Sequence, residues 1–173
     1  QLVNAHQKVS DLLRELPIAI TPDIARLGLV DALRRMVDVE FARSFDRVEW
    51  RLETGADVAA QRLSPLAAET LYHAARESIR NAGKHGRDTD GQNGGQDELK
   101  LTITVATDPK QLHLLIEDDG IGLTQAEGDG QGLALHSTMV AIAGGSLAME
   151  SIPGQMTRAT LLMPLESEID YSQ

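Results

Sequence analysis

The sequence predicts an α/β fold, a two-layer sandwich of a mixed sheet covered on one face by helices. Three observations carry that expectation. Segments with helical spacing and segments with two-residue alternation follow one another as two helices, strand, helix, strand hairpin, helix, strand hairpin. The paired strands are joined by short turns at Asp108-Pro109-Lys110 and Pro153-Gly154, so each pair must run antiparallel. Helices lying between the strand pairs then cover one face of the sheet. The chain has 173 residues, 42% of them hydrophobic, which is enough for one domain with a real core.

Each element has a local cause. Leu2, Val9, Leu12, Leu13 and Leu16 recur at helical spacing, so residues 2–16 read as a helix, which Pro17 stops. Thr21-Pro22-Asp23 is a start signal: Thr21 as N-cap, Pro22 in the first helical position. That helix is expected to run to about Ala42 on a stripe from Ile24 to Phe41. Val48–Leu52 alternates and reads as a strand. Ser64-Pro65 repeats the start signal and opens a helix to about His85. Arg87–Gln96 is rich in Gly, Asp, Asn and Gln and reads as a surface loop. Leu99–Thr107 and Gln111–Glu117 form one hairpin. Gly132–Ala143 is a helix closed by Gly144-Gly145, a pair suited to a left-handed cap. Ser146–Ser151 and Thr157–Met163 form the last hairpin, and an acidic tail follows Glu166.

Composition narrows the function. The net charge is -10, from 26 acidic against 16 basic residues. Nucleic-acid binders gain affinity by neutralising phosphates, so this balance argues against nucleic acid as a partner. It leaves room for one nucleotide held by a local site. No cysteine is present, which excludes disulfides, thiolate metal sites and cysteine nucleophiles and is compatible with a reducing compartment. No run of about 18 apolar residues exists. The chain begins at Gln1, as expected of a fragment or processed product. Gly128-x-Gly130-x-Gly132 does not directly follow a strand, and the βαβ alternation of a dinucleotide fold is absent.

Three stretches carry the chemistry. On the helix opened by Ser64, at about 100° per residue, Glu77, Asn81, Lys84 and His85 share one face, with Leu71, Ala75, Ile79 and Ala82 on another. Asn is a poor helix former, so a mid-helix Asn81 beside Gly83 is a local conflict of the kind that marks function. Its carboxamide suits a hard cation such as magnesium, and Lys84 suits a phosphate. Glu77 suits proton transfer or support of the cation. The second stretch is Asp118-Asp119-Gly120-Ile121-Gly122 at a strand exit. A carboxylate only accepts hydrogen bonds and so pairs with an exocyclic amine such as that of adenine; Asp118 and Asp119 compete for that role. In the third, Gly128, Gly130 and Gly132 lead into a helix N-terminus, where amide groups face an anion.

In this order these stretches resemble the ATP-binding catalytic domain of sensor histidine kinases, over about residues 20–164. Glu77-x-x-x-Asn81-x-x-Lys84-His85 looks like its asparagine box, Asp118-x-Gly120-x-Gly122 like its first glycine box and Gly130-x-Gly132-Leu133 like its second. The stretch from Gly144-Gly145 through Ser151-x-Pro153-Gly154-x-x-Thr157 continues the pattern. Leu71-Tyr72-His73 and the Lys84-His85 ending look most like the nitrate- and lipid-fluidity-sensor subfamily; Gly83 and Met156 depart from its pattern. The resemblance implies a histidine-kinase-like ATPase fold with ATP and Mg2+ as cofactors. Asn81 would then hold the metal, with Glu77 and Asn81 catalytic. Lys84, His85, Asp118, Gly120, Gly122, Gly130, Gly132, Leu133 and Thr157 would bind the nucleotide. It also implies a domain at residues 18–165, a tail at 166–173, and at 1–17 the end of a dimerisation-hairpin helix. His6 is followed by Gln7, not an acidic residue, and reads as a surface position. The phosphoacceptor histidine would lie on a dimerisation domain of the same kinase, outside this chain, with a response regulator as indirect partner. A cytoplasmic location without direct membrane contact follows, within a longer protein that can be membrane-anchored. Two other readings fit: a serine kinase of the anti-sigma type, or a non-catalytic nucleotide module signalling to a partner.

Overall fold

The computed structural model describes residues 21–87, 98–122 and 131–166. Helix α1 (Pro22–Leu27) and helix α2 (Leu29–Glu40) precede strand β1 (Arg47–Leu52). Helix α3 (Ala56–Ala60), helix α4 (Pro65–His85), strand β2 (Lys100–Thr107) and strand β3 (Gln111–Asp118) follow. Helix α5 (Gln131–Ile142) and strands β4 (Ser146–Ile152) and β5 (Met156–Pro164) complete the described chain. The residues expected to form the first helix, the surface loop after Arg87, the segment from Thr124 to Gly130 and the tail lie outside the described residues.

The five strands form one mixed sheet in the order β1-β2-β3-β5-β4. β1 and β2 are parallel; every other neighbouring pair is antiparallel. One face is buried. Leu101, Ile103 and Val105 of β2, Leu112, Leu114 and Ile116 of β3, and Leu161 and Met163 of β5 are almost wholly enclosed. Leu71, Ala75, Ile79 and Ala82 of α4 belong to the same core, as the helical angles predict. The other face carries ion pairs, among them Glu49–Lys100 and Arg158–Glu117. Alternation along β3 between buried and half-buried side chains follows directly from this arrangement.

The single helix expected from Pro22 to Ala42 is two helices. Gly28 breaks it with φ 79° and ψ 168°, a conformation that costs glycine little. The apolar stripe survives the break, which is why periodicity alone misses it. Thr21 precedes α1 with Pro22 in its first turn, but the hydroxyl makes no capping bond. It donates to Glu69 Oε1 of α4 instead, and the Thr21 amide donates to Glu69 Oε2 at 2.9 Å. Donation to a carboxylate is a strong, charge-assisted bond, and it turns the hydroxyl toward Glu69 instead of the first-turn amides it could cap. Ser64 caps α4 as expected, its Oγ accepting from the Ala67 amide at 3.1 Å. Helix α3 has five residues, too few for a helical period to register, and the sequence pattern gives no signal for it.

The end of α4 is fixed by backbone contact. A Cβ on Gly120 would lie 2.5 Å from Gly86 Cα. The Ile121 amide donates to the Gly86 carbonyl at 3.0 Å, so α4 and the exit of β3 meet without side chains between them. Gly120→Ala forces the two backbones apart. Overpacking of this kind costs about 1–3 kcal/mol. Urea denaturation is expected to show that loss for Gly120→Ala, whereas Gly154→Ser, at a position with open space, loses only its left-handed backbone preference. Equal stability of Gly120→Ala and the parent chain refutes the contact.

Candidate functional site

The two aspartates at the exit of β3 do different things. Asp119 Oδ1 accepts the Lys100 amide at 2.7 Å, which locks the turn onto the start of β2. Asp118 is 5% exposed, and Oδ1 accepts the Gly120 amide at 3.1 Å. Burial pushes its carboxyl up to about 6, against the Gly120 bond, which favours the charged form. Asp118 is thus the buried carboxylate of the pair, and Asp119 has a structural bond of its own. Across the sheet Asp118 is in register with Thr157 of β5. The Thr157 and Ser151 hydroxyls stand 3.3 Å apart, so β3, β5 and β4 bring a carboxylate and two hydroxyls together.

Gly122 turns the chain beside this group with φ 70°. A Cβ there would lie 2.6 Å from the Ile152 carbonyl oxygen, and the Gly154 amide donates to the Ile121 carbonyl. Gly120 and Gly122 therefore earn their residue type from backbone packing against Gly86 and Ile152. Any contact with a ligand would be additional.

On α4 the predicted face is assembled by the helix itself. Glu77 and Asn81 are half-buried, Lys84 is exposed and His85, the last helical residue, is half-buried. Glu77 is not free: Arg80 Nη2 lies 2.7 Å from each of its carboxylate oxygens. Among the described residues the side chains of Asn81 and Lys84 make no hydrogen bond or ion pair. Gly83 has a packing cause, since a Cβ there would press to 3.0 Å on Ser44 Cβ. Helix α5 begins at Gln131, so Gly132 is helical and Leu133 is half-buried in its first turn; Gly130 lies outside the described residues. Among the described residues no three His, Cys, Asp or Glu side chains converge on a metal. A cation here would take few protein ligands, and the oxygen of Asn81 fits one that keeps water and phosphate in its shell.

Sequence reasoning misses two neighbours of this face. Gly86 reads as an ordinary residue after a helix, and only its spacing from His85 hints at a terminus. His136 of α5 stands across from α4. Burial lowers its pKa while the negative charge of Glu77 opposes that shift.

Known proteins share this fold. Residues 67–167 match the family described as histidine kinase-, DNA gyrase B-, and HSP90-like ATPase, which is more than half of the chain. An uncharacterized sensor-like histidine kinase of Staphylococcus epidermidis is 23% identical over 75% of this chain and 23% of its own length. One of Chloroflexus aurantiacus is 28% identical over 65% of this chain and 19% of its own. This chain thus spans about a quarter or less of those relatives. Among solved structures, the histidine kinase domain of a blue-light activated histidine kinase from Erythrobacter litoralis superposes with a TM-score of 0.60 at 19% identity. That match covers 80% of this chain and 59% of the other. Acinetobacter baumannii histidine kinase AdeS gives 0.57 at 14% identity, over 95% and 77%.

The state of Asp118 sets a pH dependence. An acid whose pKa rises from 3.8 to about 6 on folding binds its proton more tightly in the folded chain. Its favourable contribution is full below pH 3.8 and is lost as pH rises through 6. The shift corresponds to about 3 kcal/mol at most. Asp118→Asn keeps an acceptor for Gly120 and removes the charge. It is expected to raise the unfolding free energy by about 2–3 kcal/mol at pH 7 and by almost nothing below pH 3.8. Urea melts at both pH values check this, and a gain independent of pH overturns it.

Proposed function

Because the chain belongs to the histidine kinase-, DNA gyrase B- and HSP90-like ATPase family, we propose that it is the ATP-binding catalytic domain of a sensor histidine kinase. It would pass the γ-phosphoryl group of ATP to a histidine on a dimerisation domain outside this chain, and a response regulator would receive it next. The observation that carries this reading is the buried Asp118 carboxylate, in register with Thr157 and without a cationic partner among the described residues.

The roles follow from the chemistry of each group. Asp118 accepts a hydrogen bond from the adenine amine, with the Thr157 hydroxyl beside it; guanine presents oxygen at the matching place. Lys84 and His85, at the end of α4, meet the phosphates. The amides of Gly132 and Leu133, in the first turn of α5, face the same anion; Gly130, outside the described residues, is assigned the same role. Gly120 and Gly122 hold the backbone that frames the base. Asn81 is the protein ligand of Mg2+, which when bound neutralises charge on the phosphate chain. Glu77 is assigned the acid–base role. Arg80 occupies both of its carboxylate oxygens, so it acts only when that pair opens. The domain would work in the cytoplasm, beside the dimerisation helices of the same kinase.

Two measurements test this reading. Isothermal calorimetry is expected to show Mg-ATP bound more tightly than Mg-GTP. It should also show Asp118→Asn weakened roughly tenfold or more, the cost of a charge-assisted hydrogen bond. The variant that gains stability therefore loses ligand, and equal ATP affinity in both proteins sinks the adenine assignment. Asn81→Ala is expected to melt at the same temperature as the parent or higher, since alanine is the better helix former. It is also expected to transfer no phosphoryl group to a supplied dimerisation domain. Normal transfer by Asn81→Ala, or early melting, contradicts the metal role.

A further inference from the structure

Strand β1 lies at one end of the sheet, and among the described residues its only neighbour is β2. Its other side is an open edge. The ladder to β2 identifies the backbone groups on that edge. The Arg47 amide donates to the Leu99 carbonyl and the Glu53 amide to the Val105 carbonyl, so the odd-numbered residues aim their backbone at β2. Alternation along the strand then turns the amides and carbonyls of Val48, Trp50 and Leu52 outward. The side chains of Val48 and Leu52 are 37% and 41% exposed there. Natural sheets protect such edges with charge, bulges or a covering element. β1 carries charge, but in a self-complementary order. When residues 47–53 are laid antiparallel to a second copy, centred on Trp50, Arg47 falls opposite Glu53 and Glu49 opposite Arg51. Val48 falls opposite Leu52, and Trp50 meets Trp50.

We propose that this edge pairs with the same edge of a second copy, joining two five-stranded sheets across a two-fold axis at Trp50. The interface is isologous, so each off-axis contact occurs twice. Only even-numbered residues face outward, so even must pair with even. That rule leaves few registers, and charge chooses among them. Centring the pair on Glu49 sets Glu49 against Glu49 and Arg47 against Arg51. Centring it on Arg51 sets Arg51 against Arg51 and Glu49 against Glu53. Like charges directly opposite are destabilising, whereas opposite charges stabilise. Centred on Trp50, every charged residue meets its opposite. These pairs fall at the non-hydrogen-bonded positions, where facing strands approach most closely. Val48 and Leu52 cover each other on the side of the sheet where the Arg34 guanidinium of α2 sits 5.4 Å from the Trp50 ring. Glu49 is already bonded to Arg51 and Lys100 within one chain, so pairing there exchanges equivalent partners. Arg47 and Glu53 have no ion pair among the described residues, so the electrostatic gain lies with them. One strand per copy is a small contact, and the association is weak. No residue of the nucleotide or metal reading takes part in it.

Sedimentation equilibrium of the 173-residue chain, in low salt and up to millimolar concentration, is expected to show monomer and dimer in exchange. Arg47→Glu sets acid against acid twice, and Glu53→Arg sets base against base twice. Each variant alone is expected to dimerise roughly tenfold or more weakly than the parent. An equimolar mixture of the two variants is expected to dimerise like the parent, because every such contact then joins opposite charges. Both side chains are exposed, so neither substitution threatens folding. Trp50 is the only tryptophan, and its emission is expected to change over the same range of concentration. A parent chain that stays monomeric overturns the proposal. A dimer that the single reversals leave intact has its contact elsewhere on the chain and also overturns it. So does a mixture that dimerises no better than its two components.

Discussion

The direct contact between Gly86 and Gly120 is the constraint on which the rest of the site depends. Every ligand-facing candidate on α4 takes its position from the end of that helix. At 1.5 Å per residue, Asn81 stands about 7 Å before Gly86, and a displacement at the terminus is passed along a rigid rod. The same terminus is closed from other sides. A Cβ on Gly86 would strike Leu99, and Gly83 admits Ser44. The Asp46 carboxylate accepts the Leu99 amide at 2.7 Å and pairs with Arg87. The backbone of α4 thus meets the entry of β2 and the exit of β3 at one point. At its other end the Ser64 cap and the Thr21–Glu69 bonds hold it. A helix pinned at both ends can carry a face of polar residues that does nothing for its own stability.

The aspartates of this chain form an internal comparison. Two amides and His113 surround Asp108, and those bonds hold its carboxyl below the ordinary range. Asp46, bonded to the Leu99 amide and Arg87, is held down likewise. Both favour the fold in the ionised form. Asp118 is the reverse case. It is enclosed more deeply, it accepts a bond from the Gly120 amide, and its neighbour Asp119 adds a like charge. Arg158 is close in sequence register, but both of its nearest donors go to Glu117 on the other face of the sheet. The bond from the Gly120 amide does not account for a carboxylate that weakens the fold at neutral pH, because an asparagine oxygen would accept it as well. Such conflicts between local cost and persistence concentrate at binding sites, where a ligand supplies the missing donor.

Much of this was legible in the sequence because the signals are local. Ser64-Pro65 marks the start of α4, and its apolar residues at helical spacing are the ones in the core. Gly144 adopts φ 90° after α5, as a left-handed cap requires. What was not legible depends on partners distant in the chain. Gly28 breaks a helix whose stripe continues through the break. Thr21 has the right residue type for a cap, but Glu69, 48 positions away, takes its hydroxyl. The choice between Asp118 and Asp119 is made by the Lys100 amide, and periodicity does place the two on opposite faces without saying which one is enclosed. Gly86 and His136 matter through what they face, and a one-dimensional pattern holds no record of facing.

The remaining question is how a chain of net charge -10 could hold a polyanion. Exposed charges further apart than about 10 Å are largely screened at ordinary salt, so the local balance decides. Around α4 the cations are mostly committed. Arg76 is bonded to Glu40, Arg80 to Glu77 and Arg87 to Asp46. Each of those pairs neutralises an acid that would otherwise repel phosphate. Lys84 differs: among the described residues it has no acidic partner, and it lies three residues beyond Asn81 on the same face. A flexible ammonium is the group suited to following a phosphate, because it needs no fixed fork geometry. The arginines thus remove negative charge from the surface, and the single lysine of the helix is left, among the described residues, without an acidic partner. An acidic domain can bind a nucleotide on these terms, because its own acids are paired where the phosphates would lie.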